Sequence, residues 1–336
     1  MAGAGLLNPE LHSQLQAAAL GEGFVEAAGV DISKAWIEYQ DHLRRYDDWI
    51  DRGNAAEMHY LVRGRERRRD PRLVFPEAHS VFCVLLPYRK LPAGQTDPKK
   101  GPRYARYLDG EDYHDRISAR LEAALEKVAR QNPHLPLRWK VCVDTSAVLE
   151  RSWAALSGLG WIGKNTLLIH PKHGSYTFIG VVLLNQELGQ SPRSLPDYCG
   201  NCSRCLQSCP TQALEESRSL NSRKCISYWT LEKRGELALS DADKSAIGTW
   251  VAGCDLCQEA CPFNTKPVRA SLEGGSQPLT GAIATDSWEA LLVEDENQYR
   301  ERVARSALSR VKPEMFKRNL MIARENAKQI KKCDDE

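Results

Sequence analysis

Cys199-Gly-Asn-Cys202-Ser-Arg-Cys205-Leu-Gln-Ser-Cys209-Pro210 and, further along, Cys254-Asp-Leu-Cys257-Gln-Glu-Ala-Cys261-Pro262 are the stretches that decide how this part of the chain folds. The first is a C-x2-C-x2-C-x3-C-P run, in which three closely spaced thiolates wrap the corners of one cubic [4Fe–4S] cluster and the fourth reaches a second cluster. The second stretch lacks its opening cysteine, and Cys225, which lies between the two, fills that vacancy. One cluster is then held by Cys199, Cys202, Cys205 and Cys261, and the other by Cys209, Cys225, Cys254 and Cys257. The proline after each last cysteine keeps the chain from running on as helix or ladder. A pair of zinc ribbons is the competing reading. Two Cys-Pro ends and the absence of an interleaved histidine favour iron–sulfur. Crossed ligation also brings the clusters close together, which suits electron relay.

The rest of the chain agrees with a reducing setting. Eleven cysteines occur in 336 residues, and the opening MAGAGLLNPELHSQ has neither a basic start nor a continuous apolar run, so no export signal is expected. The expectation is a cytoplasmic protein whose cysteines bind metal instead of forming disulfides. The longest apolar runs, VFCVLL (81–86) and FIGVVLL (178–184), are too short for a membrane and read as buried strands. Cys83 and Cys142 lie in such strands and read as small buried hydrophobes, while Cys333 falls in what reads as a frayed tail. A net charge of +2 excludes a globally basic nucleic-acid coat. Two basic patches remain, at Arg63, Arg65, Arg67, Arg68 and Arg69 and over 302–332. They read as solvated faces first and phosphate-binding surfaces second.

Outward from the cysteines, residues 1–60 carry helical periodicity, followed by a strand at 80–88, a polar loop over 92–102 and an amphipathic helix over 112–131. A strand over 137–144, a helix over 147–158 and strands at 166–170 and 176–185 complete an α/β layer domain expected over 1–190. Residues 191–270 then form a ferredoxin-like domain with two [4Fe–4S] clusters, and 271–336 a helical C-terminal segment.

Three motifs outside the cysteines draw attention. Gly158-Leu-Gly160-Trp-Ile-Gly163-Lys164-Asn165 matches the dinucleotide fingerprint and nearly matches a P-loop, but a helix precedes it and a strand follows, the reverse of what either needs. It remains a glycine-rich turn, serving either close packing or a ligand. Asp112-Tyr-His114 resembles the start of a corrinoid histidine-ligand motif, yet Ile117 stands where glycine is required, so it reads as an exposed helix start. Asp144 ends a strand and is either a helix-start acid or a catalytic carboxyl at a strand's C-terminal end.

The segments VDTSAVLERSWAALSGLGWIGKNTLLI (143–169), GSYTFIG, CGNCSRCLQSCPTQAL, RKCISYWTLEKRG and GCDLCQEACPFN, with MHYLVRGRERRRDPRLVFPEAHSVFCV and RYARYLDGEDYH upstream, together resemble the epoxyqueuosine reductase family from about residue 57 to 264. The family is related to reductive dehalogenases. The resemblance implies an oxidoreductase that uses base-off cobalamin and two [4Fe–4S] clusters to reduce the epoxide of epoxyqueuosine, at the wobble position of tRNA, to queuosine. This is the last step of queuosine biosynthesis. It implies Asp144 as proton donor, with burial against the corrin raising its pKa. Arg68, Tyr107, Asp144, Arg151, Lys164, Leu168 and Ile179 become expected corrin contacts. Ser227, Tyr228 and Asp255 are expected between cluster and corrin. Partners implied are the Asp, Asn, His and Tyr tRNAs and a low-potential electron donor of the flavodoxin or ferredoxin type, with no membrane. Residues 271–336 resemble the opening of a HEAT-like helical domain cut short, so Arg310, Lys312, Lys317 and Arg318 are expected to help hold tRNA. A corrinoid reductase of organohalides and a simple electron carrier are the competing functions. The first typically begins with a twin-arginine signal, and the second has no need of a large α/β domain.

Overall fold

The computed structural model describes residues 9–88, 101–265 and 287–335, with side chains described up to residue 330. The loop expected over 92–102 falls almost wholly outside these residues, as does the Gly-rich link at 272–278. Eight strands are present among the described residues: β1 (Glu26–Asp31), β2 (Ser80–Pro87), β3 (Arg103–Tyr104), β4 (Trp139–Cys142), β5 (Trp161–Ile162), β6 (Leu168–Ile169), β7 (Thr177–Leu184) and β8 (Trp250–Ala252). Four of them form one sheet in the order β1-β2-β7-β4, every pair antiparallel.

The continuous apolar runs in β2 and β7 have a direct cause: both faces of the sheet are covered. Side chains alternate across a strand, so Val81, Cys83 and Leu85 enter one core and Phe82, Val84 and Leu86 the other. The first core is closed by helix α2 (Ile32–Asp51) and the short helix Glu150–Leu156; the second is closed by α1 (Pro9–Gly21) and the helix Tyr113–Gln131. Gly180 lets the last of these come close. A Cβ there would lie 2.8 Å from Ile117 and 2.9 Å from Leu121. Cys83 and Cys142 are 0% and 1% exposed, the small buried hydrophobes expected.

Strand β1 has no clear signal in the sequence. Its residues, EAAGVD, are small, and Gly29 is required because a Cβ would sit 2.3 Å from Leu188 Cδ1. The strand expected over 137–144 stops at Cys142, and the one over 166–170 shrinks to a two-residue hairpin arm against β5. Strand β3 leaves the first half of the chain to pair in parallel with β8, beside the cysteine loops. The C-terminal helices Trp288–Val293, Glu296–Val303 and Pro313–Asp335 share one core with Ala105, Leu108, Val251 and Ala252. Cys333 falls in the last turn of the helix Pro313–Asp335.

Candidate active site and cluster loops

The eight cysteines influence one another's ionisation in two overlapping sets. Cys205 and Cys261 are pushed up by burial first and then by Cys199, by Cys202 and, for Cys205, by Cys261 itself. Cys225 and Cys254 are likewise raised by burial, Cys254 to about 12, and each is raised further by Cys209. Cys257, raised by burial, feels Cys254 and Cys225 next. The couplings run mainly within the two ligand sets expected from the spacing, although Cys257 also feels Cys205 of the other set. Neighbouring thiols cannot all ionise together unless a cation neutralises them, and the donor chemistry suits clusters held by four thiolates. Two N–H groups already point at sulfur: Trp161 Nε1 donates to Cys199 Sγ at 3.4 Å and the Ala213 amide to Cys209 Sγ at 3.3 Å.

Asp144 follows β4 in a left-handed conformation, φ +58°, which Asp adopts more readily than most residues. It does not cap the next helix. That helix starts at Glu150, behind Leu149, which offers no side-chain cap. The Asp144 side chain is 61% exposed, yet its charge is felt by Tyr60, Tyr107, Tyr113, His114, Glu150 and Glu232. A carboxyl open to water and ringed by such groups forms the floor of the candidate site.

His114, expected at an exposed helix start, is instead 7% exposed and belongs to this floor. The cause is the hydrogen bonding of Asp112, which caps the Tyr113–Gln131 helix through the His114 amide and also takes His114 Nδ1. His114 Nε2 lies 3.3 Å from Asp144 Oδ2. Arg310, from the C-terminal segment, places Nη1 2.9 Å from the same nitrogen and Nη2 3.4 Å from Asp112 Oδ2. The hydrogen bond from His114 holds Asp144 below the usual carboxylate range. Burial works to lower His114, but its bonds to Asp144 and Asp112 outweigh burial and raise it. Asp144 is thus shifted opposite to the expected direction, and the proton of the pair rests on the histidine. Burial, followed by the charge of Asp144, pushes Glu150 up to about 8, and its Oε1 accepts the Asp144 amide. Glu150 is the residue that sequence reasoning missed, while His114 and Arg310 were expected in other places, at an exposed helix start and on a tRNA surface. The Asp112-x-His114 pair at a helix start was the available signal.

The other expected residues divide. Tyr107 stands edge-on to Tyr113 at 6.2 Å, beside the floor. Arg68 is buried, and its Nη1 has no partner among the described residues; its charge reaches Tyr60 and Glu150. Arg151 donates to the Thr166 carbonyl at 2.6 Å. Leu168 is 3% exposed inside the core, so only its backbone is available, and Ile179 is half-buried against the same core. Lys164 turns away to the Gly200 carbonyl, 2.6 Å, in the first cysteine loop. Ser227 is half-buried and Tyr228 buried; the Tyr228 hydroxyl accepts the Glu57 amide. Asp255 is 1% exposed, raised to about 6 by burial, and accepts the Arg106 amide at 2.8 Å, which latches the Tyr107 loop to the Cys254 loop. The glycines of the false phosphate loop serve packing: a Cβ on Gly160 would lie 2.5 Å from the Ile169 carbonyl, and one on Gly163 2.4 Å from Ile169 Cδ1. Two of the basic residues expected to hold tRNA are engaged inside the protein. Arg310 is bound to His114, and Arg318 donates to the carbonyls of Trp229 and Lys233.

Glu26, His170 and His173 also gather at metal-ligand spacing. His170 Nδ1 accepts the amides of Lys172 and His173, which leaves its proton on Nε2, the nitrogen that faces Glu26. An imidazole in that tautomer donates to the carboxylate and is not a ligand.

Comparison with known proteins gives a consistent result. A family described as "4Fe-4S double cluster binding domain" matches residues 198–264, and "Epoxyqueuosine reductase QueG, DUF1730" matches 68–145. The epoxyqueuosine reductase of Synechococcus sp. (strain CC9605) is 35% identical over 316 residues, covering 93% of this chain and 94% of that one. That of Prochlorococcus marinus (strain NATL2A) is 33% identical over 311 residues, covering 93% and 96%. Among solved structures, a selenomethionine-labelled epoxyqueuosine reductase is 26% identical with a TM-score of 0.79, covering 96% of this chain and 83% of that one. An epoxyqueuosine reductase with an epoxyqueuosine-modified tRNA-Tyr stem loop is 26% identical with a TM-score of 0.75 and the same coverage. The fold, the paired four-cysteine groups and these likenesses lead to one statement: the chain belongs to the epoxyqueuosine reductase family.

Proposed function

We propose that this enzyme reduces the epoxide of epoxyqueuosine, in the wobble position of Asp, Asn, His and Tyr tRNAs, to the alkene of queuosine. The observation that carries the mechanism is the Asp144–His114 pair, a water-exposed carboxyl backed by a buried histidine. The reaction consumes two electrons and two protons and releases the epoxide oxygen as water. Oxygen departs poorly as an alkoxide, so a proton must meet it. Asp144 is open to solvent, while His114 stays behind it, better buried and carrying the proton. Asp144 passes that proton to the departing oxygen and recovers one from His114. Asp112 fixes the histidine ring through Nδ1. Nε2 has a single site: as a lone pair it accepts from Arg310, and once protonated it donates to Asp144.

The clusters bind at Cys199, Cys202, Cys205 and Cys261 and at Cys209, Cys225, Cys254 and Cys257. The second cofactor is cobalamin, which when bound would supply electrons at low potential. The residues fit it: the unpartnered buried Nη1 of Arg68 suits an acceptor-bearing ligand, and Tyr107, Arg151 and the backbone at Leu168 and Ile179 would complete its contacts. His114 is already committed to Asp112, Asp144 and Arg310 and would not be free to serve as a ligand to it. In this reading residues 1–190 hold the corrin, 191–270 the clusters, and 271–336 close the site. No helix of the described residues is long and apolar enough to cross a membrane, and work on tRNA places the enzyme in the cytoplasm. Electrons come from a separate low-potential protein of the flavodoxin or ferredoxin type.

The test is mass spectrometry of an epoxyqueuosine-containing tRNA before and after incubation with the anaerobically reconstituted, dithionite-reduced protein and cobalamin. Loss of one oxygen from the modified base is expected. An unchanged base, with both clusters and corrin loaded, overturns the proposal.

A further inference from the structure

The two cysteine groups differ in what surrounds them. Cys209, Cys225, Cys254 and Cys257 lie on the catalytic side, since Asp255 beside Cys254 holds the Arg106 amide and Tyr228 near Cys225 holds the Glu57 amide. The loop of Cys199, Cys202 and Cys205 faces outward. Tyr198 is 51% exposed, and Gly200, Asn201 and Arg204 are exposed. Tyr198 stands edge-on to Trp161, ring centroids 5.0 Å apart, and Trp161 donates its indole N–H to Cys199 Sγ. Cys199 is itself half-buried, so this sulfur lies close to solvent beside Trp161 and Tyr198.

The charge around that face is one-sided. The β5–β6 hairpin carries Lys164, bound to the Gly200 carbonyl, and its following turn carries exposed Lys172. That turn touches the Cys261 loop: a Cβ on Gly174 would lie 2.8 Å from the Phe263 carbonyl, and the Ser175 amide donates to Asn264. Arg193 packs its Cβ over Gly158 with its guanidinium on Gln190 Oε1, Arg204 precedes Cys205, and Arg218 donates to the Ile162 carbonyl. Against these five cations the described residues of the face offer Asp197, which is already paired with Arg218. The neighbouring carboxylates are spent as well: Glu215 on Lys224, Glu216 on Arg52, and Glu26 on His170 and His173.

We propose that this face, from Tyr198 to Arg204 with Lys164, Lys172, Arg193 and Arg218 around it, is where an acidic low-potential electron-carrier protein docks to reduce the outer cluster. The inference rests on the reading above that electrons come from a separate protein, and adds where that protein binds and with what charge. Complementary charge raises the rate of encounter more than it raises affinity, and salt screens it.

The experiment is stopped-flow reduction of the anaerobically reconstituted full-length protein by two reductants, reduced flavodoxin and dithionite. The variant is Lys172→Glu/Arg193→Glu, which touches neither a cluster ligand nor the Asp144 floor. At low salt the second-order rate with flavodoxin should fall about tenfold or more, the gap should close at high salt, and the dithionite rate should stay at the wild-type value. An unchanged flavodoxin rate overturns the proposal, and so does an equal loss with both reductants, which would mean a damaged cluster. Loss of tRNA binding with carrier reduction intact would also overturn it, giving the face to nucleic acid. Dithionite-driven conversion of tRNA is measured alongside, so failure of the catalytic reading shows separately.

Discussion

At the residue scale the chemistry turns on where one proton sits. Asp144 is held low by the hydrogen bond from His114, and His114 is held high by two carboxylates. Asp144→Asn keeps size and hydrogen bonding, and Asn tolerates φ +58° as Asp does. A change to Ala would mix loss of the carboxyl with backbone strain. General acid catalysis contributes roughly 10²–10⁴-fold, so turnover of the Asn variant should fall by about that factor while both clusters and cobalamin stay bound. Near-normal turnover in a fully loaded Asp144→Asn enzyme would remove Asp144 from the mechanism. Glu150 gives a second prediction, on stability. Its folded pKa is about 8 against an ordinary 4.5, so between those values the folded chain holds a proton that the unfolded chain releases. Its contribution is fully present below the ordinary value and is lost as pH rises through about 8. Melting temperature should therefore decline from pH 6 to pH 9 more steeply in the wild type than in Glu150→Gln, which stays neutral throughout. Parallel slopes in the two proteins would contradict the assignment.

At the element scale, what the sequence made legible was whatever chemistry forces into a short span. The C-x2-C-x2-C-x3-C-P run can be read because three thiolates must reach one cube, and β2 and β7 because a strand covered on both faces must be apolar throughout. Strand β1 was hidden because it meets Leu188 through Gly29 and needs no bulky side chains. His114 was hidden for a different reason: helical periodicity places it on the first turn, but its bond to Asp112 and the tertiary approach of Asp144 and Arg310 draw it inward. The glycines at 160 and 163 imitated a phosphate loop because tight hairpin packing and close ligand approach make the same demand on a backbone. Cys225 tests the reading of the cysteine loops, since it lies far from both runs and only the vacancy in the second one recruits it. In Cys225→Ala, iron per chain should fall from about eight towards about four, and the remaining cluster should keep its electron paramagnetic resonance signal. Cys199→Ala should abolish the complementary signal. Loss of both clusters in each variant, or neither in Cys225→Ala, would break the two-set assignment.

At the scale of the whole molecule, the C-terminal helices are part of the enzyme's core. Leu308, Val311, Met315, Phe316 and Leu320 are all buried against Ala105, Leu108, Val251 and Ala252, the segments that bracket Tyr107 and precede Cys254. Asn319 adds hydrogen bonds to the Thr230 and Val251 carbonyls. Each large apolar side chain that is fully buried contributes about 1.5–3 kcal/mol. Five of them together rival the roughly 5–15 kcal/mol that separates a folded domain from its unfolded state. Deleting residues 287–336 should therefore not yield a loaded enzyme that merely binds tRNA poorly. It should yield protein that fails to hold its clusters and aggregates, because β8 and the Cys254 loop lose their cover. Arg310→Gln separates this structural role from the chemical one. It leaves the core intact and removes the donor to His114 Nε2 and the pairing with Asp112, so iron content and melting temperature should stay near wild type. Its turnover should fall, and its pH profile should shift upward, since the cation that lowers His114 is gone. Iron analysis, thermal melts and turnover against pH on the two variants decide the matter. A soluble deletion variant with a full iron complement would show that the C-terminal helices are an appendage, and an unshifted pH profile in Arg310→Gln would show that the arginine does not act through His114.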